Sequence, residues 1–161
     1  MKNMSDPAAG VPMANRVRQF NQEDLADICR IYIDAKRDEL ANEGKVVDIV
    51  PLEDDAVILA AFRESEVIVC EHGGVMGFAA MFDGQLRALF VHREARGRGV
   101  GHALLNAALA RAPGGLSLHV AESNLNARQF YERSGFTVTG MENRHYNGTD
   151  ISYVKMSSPC V

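Results

Sequence analysis

Apolar residues recur at three- and four-residue steps through Leu25, Ile28, Cys29 and Tyr32, which predicts an amphipathic helix running from Asn21, a suitable cap, to about Lys36. Residues 38–50 contain Gly44 and keep no period. From Pro51 the helical spacing returns in Leu52, Ala56, Leu59 and Phe62, so a second helix is expected there. Three stretches then read as strands, Glu66 to Glu71, Val75 to Phe82 and Gln85 to His92. The turn residues His72-Gly73-Gly74 and Asp83-Gly84 join them into an antiparallel meander. A glycine-rich turn follows, then a helix over about Val100 to Arg111, a strand Leu116 to Ala121, and a helix Asn124 to Ser134 stopped by Gly135. Strands Phe136 to Met141 and Asp150 to Met156, joined through Asn147-Gly148, complete the pattern. A meander leading into alternating helices and strands implies an α/β, mixed α+β fold, with a central mixed sheet and helices on both faces.

The chain has 161 residues, 47% hydrophobic and 24% charged, enough for one domain with a sizeable core. Residues 1–15 mix Pro7, Gly10, Pro12, alanines and methionines without a period and read as a flexible N-terminal tail, leaving 16–161 as the domain. Seventeen basic against twenty-one acidic side chains give a net charge of -4. That balance supplies no cationic field for nucleic acid or an anionic membrane surface, and small partners are the better expectation. The sequence has no run of eighteen apolar residues and no signal-like start, which leads us to expect a cytoplasmic protein. Cys29, Cys70 and Cys160 lie too far apart for a metal clip and are odd in number, so we read them as incidental thiols and expect no metal.

Candidate chemistry concentrates where the strand ending Leu89-Phe90-Val91 runs through His92 to Arg98 into the helix that starts at Gly99-Val100-Gly101-His102. Gly97, Gly99 and Gly101 let backbone amides turn toward a ligand, and the helix adds its unpaired first-turn amides and its dipole. Arg96 and Arg98 add charge-assisted donors. A phosphate or pyrophosphate is the ligand such a turn fits. The nucleoside triphosphate loop is excluded, because His102 and Ala103 stand where it needs Lys and Ser or Thr. The dinucleotide fingerprint is disfavoured, since aligning it on Gly97 and Gly99 puts His102 at its third glycine.

Arg96-Gly97-Arg98-Gly99-Val100-Gly101 resembles the Arg/Gln-x-x-Gly-x-Gly/Ala turn of the GNAT superfamily of acetyl-coenzyme A dependent N-acetyltransferases. The stretch Asn124 to Phe136 is similar to that family's Asn-x-x-Ala-x-x-Phe/Leu-Tyr-x-x-x-Gly-Phe helix, and the two motifs occur in the family's order. The resemblance covers about Arg16 to Met156. It implies the GNAT fold, a mostly antiparallel sheet of about six or seven strands, and acetyl-CoA as cosubstrate. It also implies that Leu89, Phe90 and Val91 line the pantetheine arm with backbone groups, that an amide near Val91 polarises the thioester carbonyl, and that the turn from Arg96 to His102 holds the pyrophosphate. Asn124 is expected both to cap its helix and to meet the cofactor, and Arg128 to reach the nucleotide end. The strand before the turn and the one at Leu116 to Ala121 are expected to splay into a reaction slot.

Acyl transfer to an amine requires the amine to lose a proton and the leaving thiolate to gain one. The resemblance assigns the second role to Tyr131, a phenol whose reference pKa of about 10 keeps it protonated at pH 7. The base is less constrained. His119 stands where some relatives carry a glutamate, five residues before the motif asparagine, and alternation turns it away from Leu116, Leu118 and Val120. Gln85 replaces a carboxylate common in the family, while Glu39, Glu71 and Asp83 remain as substitutes; His72, His92, His102 and His145 read as turn or surface residues. Cys29 and Cys70 lie outside both motifs, which disfavours a covalent thiol route. The implied activity is acetyl transfer to a primary amine of a small molecule or protein, by direct attack in a ternary complex. The alternatives are a noncatalytic acyl-CoA sensor, against which Tyr131 speaks, and a nucleotide-binding module. Acceptor choice would fall to Tyr32, Arg37, Glu39, His145 and Tyr146, whose mixed charge selects no substrate, and the family admits a homodimer.

Overall fold

The computed structural model describes residues 14–159. In chain order it contains β1 (Arg16–Gln19), α1 (Leu25–Glu39), α2 (Ala56–Glu64), β2 (Glu66–Glu71), β3 (Val75–Phe82), β4 (Gln85–Val91), α3 (Val100–Ala110), β5 (Ser117–Ala121), α4 (Leu125–Arg133), β6 (Thr137–Tyr146) and β7 (Thr149–Ser157). Short 3-10 turns at Gln22–Asp24, Leu52–Asp54 and Arg93–Ala95 precede α1, α2 and α3. The strands form one sheet in the order β1-β2-β3-β4-β5-β7-β6, antiparallel throughout except for the β4–β5 pair. This is a mixed α+β fold with a seven-stranded, mostly antiparallel sheet.

Helices cover both faces. On one, Val100, Leu104, Leu105 and Ala108 of α3 and Tyr131 of α4 pack on Ile68, Ala79, Leu118 and Val120. On the other, Ile28, Ile31 and Tyr32 of α1 and Phe62 of α2 pack on Val67, Val69, Phe78 and Ala80. The two faces explain why β2 reads as an unbroken apolar run from Val67 to Cys70. Among the described residues no helix is long and apolar enough to cross a membrane.

The structure corrects several expectations. β1 was not legible: Arg16-Val17-Arg18-Gln19 carries one apolar residue in four, yet it pairs with β2. Arg18 grips the buried Asp24 with two bonds of 2.8 Å and Glu71 at 2.9 Å, tying this edge strand to the start of α1. Arg18 holds the Asp24 carboxyl below the usual carboxylate range. The first helix continues past Lys36 to Glu39, and β6 runs on to Tyr146 because its ladder with β7 reaches the Asn147-Gly148 turn. Asn15, assigned above to the tail, is bonded to the Arg98 carbonyl at 2.9 Å and to His72 at 2.8 Å. Residues 1–13, and Cys160, lie outside the described residues.

Three features position the site. β4 carries an extra residue at Arg87, since Leu86 faces Met81 while Ala88 faces Ala80, and such a bulge bends the strand. Its pairing with β5 is confined to Gln85 against Ser117, and beyond that point the two strands part. Gly77 of β3 lies under the start of α3, where an added Cβ would stand 2.9 Å from Val100 Cγ1 and 3.0 Å from the Phe90 carbonyl. The missing side chain lets the glycine turn seat directly on the sheet.

Candidate functional site

A groove of about 550 Å³ opens where β4 leaves β5. It is lined by Leu89, Phe90 and Val91, by the turn from Arg96 through Gly97, Gly99 and Gly101 to His102, and by Asn124, Ala127 and Phe130 of the α4 region. His92 donates its amide to Met76 on β3, so strand alternation turns the amides of Leu89 and Val91 to the opposite edge, toward the gap. Gly97 (φ 72) and Gly99 (φ 83) are both left-handed, a backbone that side chains disfavour. Ala103 closes the first bond of α3, back to Gly99 at 2.9 Å, and helix geometry leaves the amides of Val100, Gly101 and His102 for a ligand. Arg96 flanks them, bonded to the Val91 carbonyl at 3.3 Å and paired with Asp38 at 2.7 Å. Amides, dipole and guanidinium together fit a pyrophosphate.

Asn124 caps α4 through its side chain, accepting from Ala127 at 3.3 Å, and lines the groove. Arg128 is turned away: its guanidinium lies on the Glu122 carbonyl at 3.3 Å, outside the groove lining. Arg98 is exposed, and its carbonyl holds Asn15. Tyr131 stands behind the groove wall, 8% exposed, against the rings of Phe130 and Phe136. Burial, aided by Glu39, pushes its phenol above the usual range, so it is protonated at neutral pH.

A second cavity, of about 460 Å³, lies across β4. α1 contributes Tyr32, Lys36 and Glu39, β4 contributes Gln85 to Ala88 and Phe90, β5 contributes His119, and the last hairpin contributes Arg144, His145, Tyr146 and Tyr153. Glu39 and Phe90 line both spaces, so the groove and the cavity meet at those residues. In the α1–α2 connection, Val47 and Ile49 pack against the cluster of Tyr146, Ile151 and Tyr153.

His119 faces this cavity, its Nε2 2.8 Å from Glu142 and the ring within 3.2 Å of Arg144. Burial, and then the positive charges of Arg144 and Lys155, outweigh Glu142 and lower its pKa, so the imidazole is neutral at pH 7. The other substitutes fall elsewhere. Glu71 is tied to Arg18 at the sheet edge, and Asp83 forms the left-handed corner of the β3–β4 turn. Arg37 points off α1 toward Asp34 at 3.7 Å and does not reach the cavity, which corrects its assignment to acceptor choice. His92 caps the turn ahead of Arg96, His145 pairs with Asp150, and His102 packs 4.9 Å from Phe130 at the groove. Burial and Glu53 push the Cys29 thiol up to about 11, and burial raises Cys70; neither lines either space, so neither is placed as a thiolate nucleophile. Among the described residues no cluster of three or more His, Cys, Asp or Glu side chains is placed to hold a metal.

Lys36, Asp38, Arg144 and Tyr153 were not singled out in the sequence. A signal existed for Lys36. It falls one helical turn after Tyr32 on the stripe begun by Ile28 and Ile31, a charge where an apolar residue is due. Its ammonium meets Glu39 Oε2 at 2.9 Å and stands 4.9 Å over the Tyr146 ring. Burial works against that charge, and Glu39 together with Tyr153 and Tyr32 more than offsets it.

Comparison with known proteins agrees with this architecture. Residues 63–138 match the Acetyltransferase (GNAT) domain family. The chain is 34% identical over 131 residues to the peptidyl-lysine N-acetyltransferase YjaB of Salmonella typhimurium, covering 78% of this chain and 83% of that relative. The solution structure of apo YjaB from Escherichia coli superposes with a TM-score of 0.72 at 25% identity, over 90% of this chain and 97% of that one. A GCN5-related N-acetyltransferase structure from Rhodopseudomonas palustris shares the fold, with a TM-score of 0.73 at 21% identity over 92% and 97% of the two chains. The protein belongs to the GNAT acetyltransferase family. Its activity is that of an N-acetyltransferase, an acyltransferase of a family that generally uses acetyl-CoA.

Proposed function

We propose that the protein transfers acetyl from acetyl-CoA to the ε-amine of a lysine in a peptide or protein, by direct attack in a ternary complex. The observation that carries this reading is the meeting of the glycine-turn groove with a separate, aromatic-lined cavity at Glu39 and Phe90, which gives donor and acceptor their own entrances. The relatives named peptidyl-lysine N-acetyltransferases support lysine as the acceptor.

When bound, acetyl-CoA supplies the activated acyl group. The turn residues Arg96 to His102 would hold the pyrophosphate through backbone amides and the guanidinium of Arg96, which is paired with Asp38. The Leu89 and Val91 amides, facing the gap, would bond the extended arm, and the Val91 amide would polarise the acyl oxygen. The incoming ammonium, with a reference pKa of about 10.4, must lose a proton, and the neutral His119 ring accepts it through water. Tyr131, kept protonated by burial, delivers a proton to the departing sulfur.

Incubation with acetyl-CoA and a peptide bearing both a free α-amine and an internal lysine tests the acceptor. Fragmentation mass spectrometry is expected to find acetyl on the ε-nitrogen; acetyl on the α-amine alone overturns lysine as the acceptor. The pH dependence tests His119. Its imidazole pKa is lowered, so base function is present above that value and lost as pH falls through it, and the acidic limb of kcat/KM is expected below about 6.5. Glu142→Gln removes the carboxylate that favours the imidazolium and moves the limb lower still. A limb that stays in place in both Glu142→Gln and His119→Gln assigns the base elsewhere.

A further inference from the structure

We propose that Glu39 is the carboxylate that receives the acceptor's alkylammonium where groove and cavity meet, and that Lys36 is its resident counter-ion, displaced by the acceptor; this rests on the lysine-acceptor reading above. The location is the first argument. Glu39 borders the cofactor groove on one side and the acceptor cavity on the other, while Lys36 borders the cavity alone. A cation arriving through the cavity therefore meets Lys36 first and Glu39 at the junction.

The cost of the pair is the second argument. Both side chains are only 13% exposed. A pair withdrawn from water this far gains little over apolar residues of the same volume, and Lys36 interrupts the apolar stripe of α1 at the position after Ile28, Ile31 and Tyr32. Packing alone would place a leucine or methionine there. A pair of charges kept at the meeting point of two cavities is better explained by a ligand that needs one of them.

The geometry identifies the ligand's chemistry. The Lys36 ammonium lies 2.9 Å from Glu39 Oε2 and 4.9 Å over the face of Tyr146, a carboxylate plus an aromatic face, which is how alkylammonium groups are recognised. The Tyr146 ring is itself fixed, because its hydroxyl accepts the Val50 amide at 3.0 Å. The structure thus shows a lysine side chain occupying a lysine-ammonium site. The Glu142 carboxylate is already engaged by His119 at 2.8 Å. Exchange of one ammonium for another on Glu39 leaves no bare buried carboxylate at the end, so the exchange avoids the main penalty of the site. A neutral side chain of the same length offers no such replacement.

The test uses the coenzyme A-loaded protein and two probes of similar shape, Nα-acetyl-lysine amide and Nα-acetyl-norleucine amide, with binding read by calorimetry. The wild type is expected to prefer the lysine probe by about tenfold or more. Glu39→Gln loses that preference, and Lys36→Met, which removes the competing cation, tightens the lysine probe severalfold. Because either single variant leaves one buried charge alone, the double variant Lys36→Met/Glu39→Gln separates folding from binding: it melts near the wild type yet does not discriminate. A lysine preference that survives in Glu39→Gln or in the double variant, or is absent from the wild type, overturns the inference. Discriminating binding without transfer to lysyl peptides leaves the ammonium site standing and overturns the proposed acceptor reaction instead.

Discussion

Replacing Tyr131 by Phe is expected to lower kcat by about 10²–10⁴-fold, the span of a lost general acid, while coenzyme A affinity and melting temperature stay near wild type. The ring is held by Phe130 at 5.2 Å and Phe136 at 5.4 Å between centroids, contacts that Phe keeps. The hydroxyl is therefore the only group removed. Burial, with Glu39 at the junction of groove and cavity adding to it, keeps that hydroxyl protonated. Steady-state kinetics with a lysyl peptide, set beside a coenzyme A titration, separates the two roles. Unchanged kcat would make Tyr131 a packing residue of α4.

The second large effect falls on the cofactor. Gly99→Val is expected to weaken coenzyme A binding by about 100-fold, equivalent to the loss of one or two charge-assisted hydrogen bonds, and to lower the melting temperature by several degrees. At φ 83 a side chain costs roughly 1–2 kcal/mol, and here the Cβ also lands 3.1 Å from the Asn15 amide that holds the Arg98 carbonyl. Relief of that strain rotates the amides opening α3 away from the groove. Gly97→Ala provides the contrast, because its Cβ meets nothing within 4 Å and only the φ of 72 penalises it, so a smaller loss is expected. Calorimetric titration with coenzyme A reads both; equal and small losses would show that the turn tolerates a different backbone.

Legibility in the sequence followed the range of the forces involved. β2 and β3 begin and end where their apolar runs and turn residues place them, and Asp83-Gly84 and Asn147-Gly148 are left-handed pairs, as hairpins of this kind require. The glycine turn and the α4 motif were equally plain, because a left-handed φ and a side-chain cap are set by the residues that carry them. β1 was not, since Val17 alone could not announce a strand whose stability comes from Arg18 reaching Asp24 and Glu71. His119 was found by its offset from Asn124 and by alternation, but its neutral state was not, because that depends on Arg144 and Glu142 arriving from β6.

The acceptor side shows the division most sharply. Residue order determined that β4 would run into a glycine-rich turn, that Tyr131 would follow Asn124 on one helix, and that the sheet would carry helices on both faces. Each depends on contacts within a few residues or on a periodicity the chain itself displays. Tertiary structure decided that β4 and β5 part after Gln85, that Arg96 meets Asp38 across the groove, and that the Lys36 ammonium lies over the Tyr146 ring. Those juxtapositions join segments remote along the chain. Spacing reveals which residues share a face, whereas the dielectric and the neighbours a charge will meet exist only once the faces have packed.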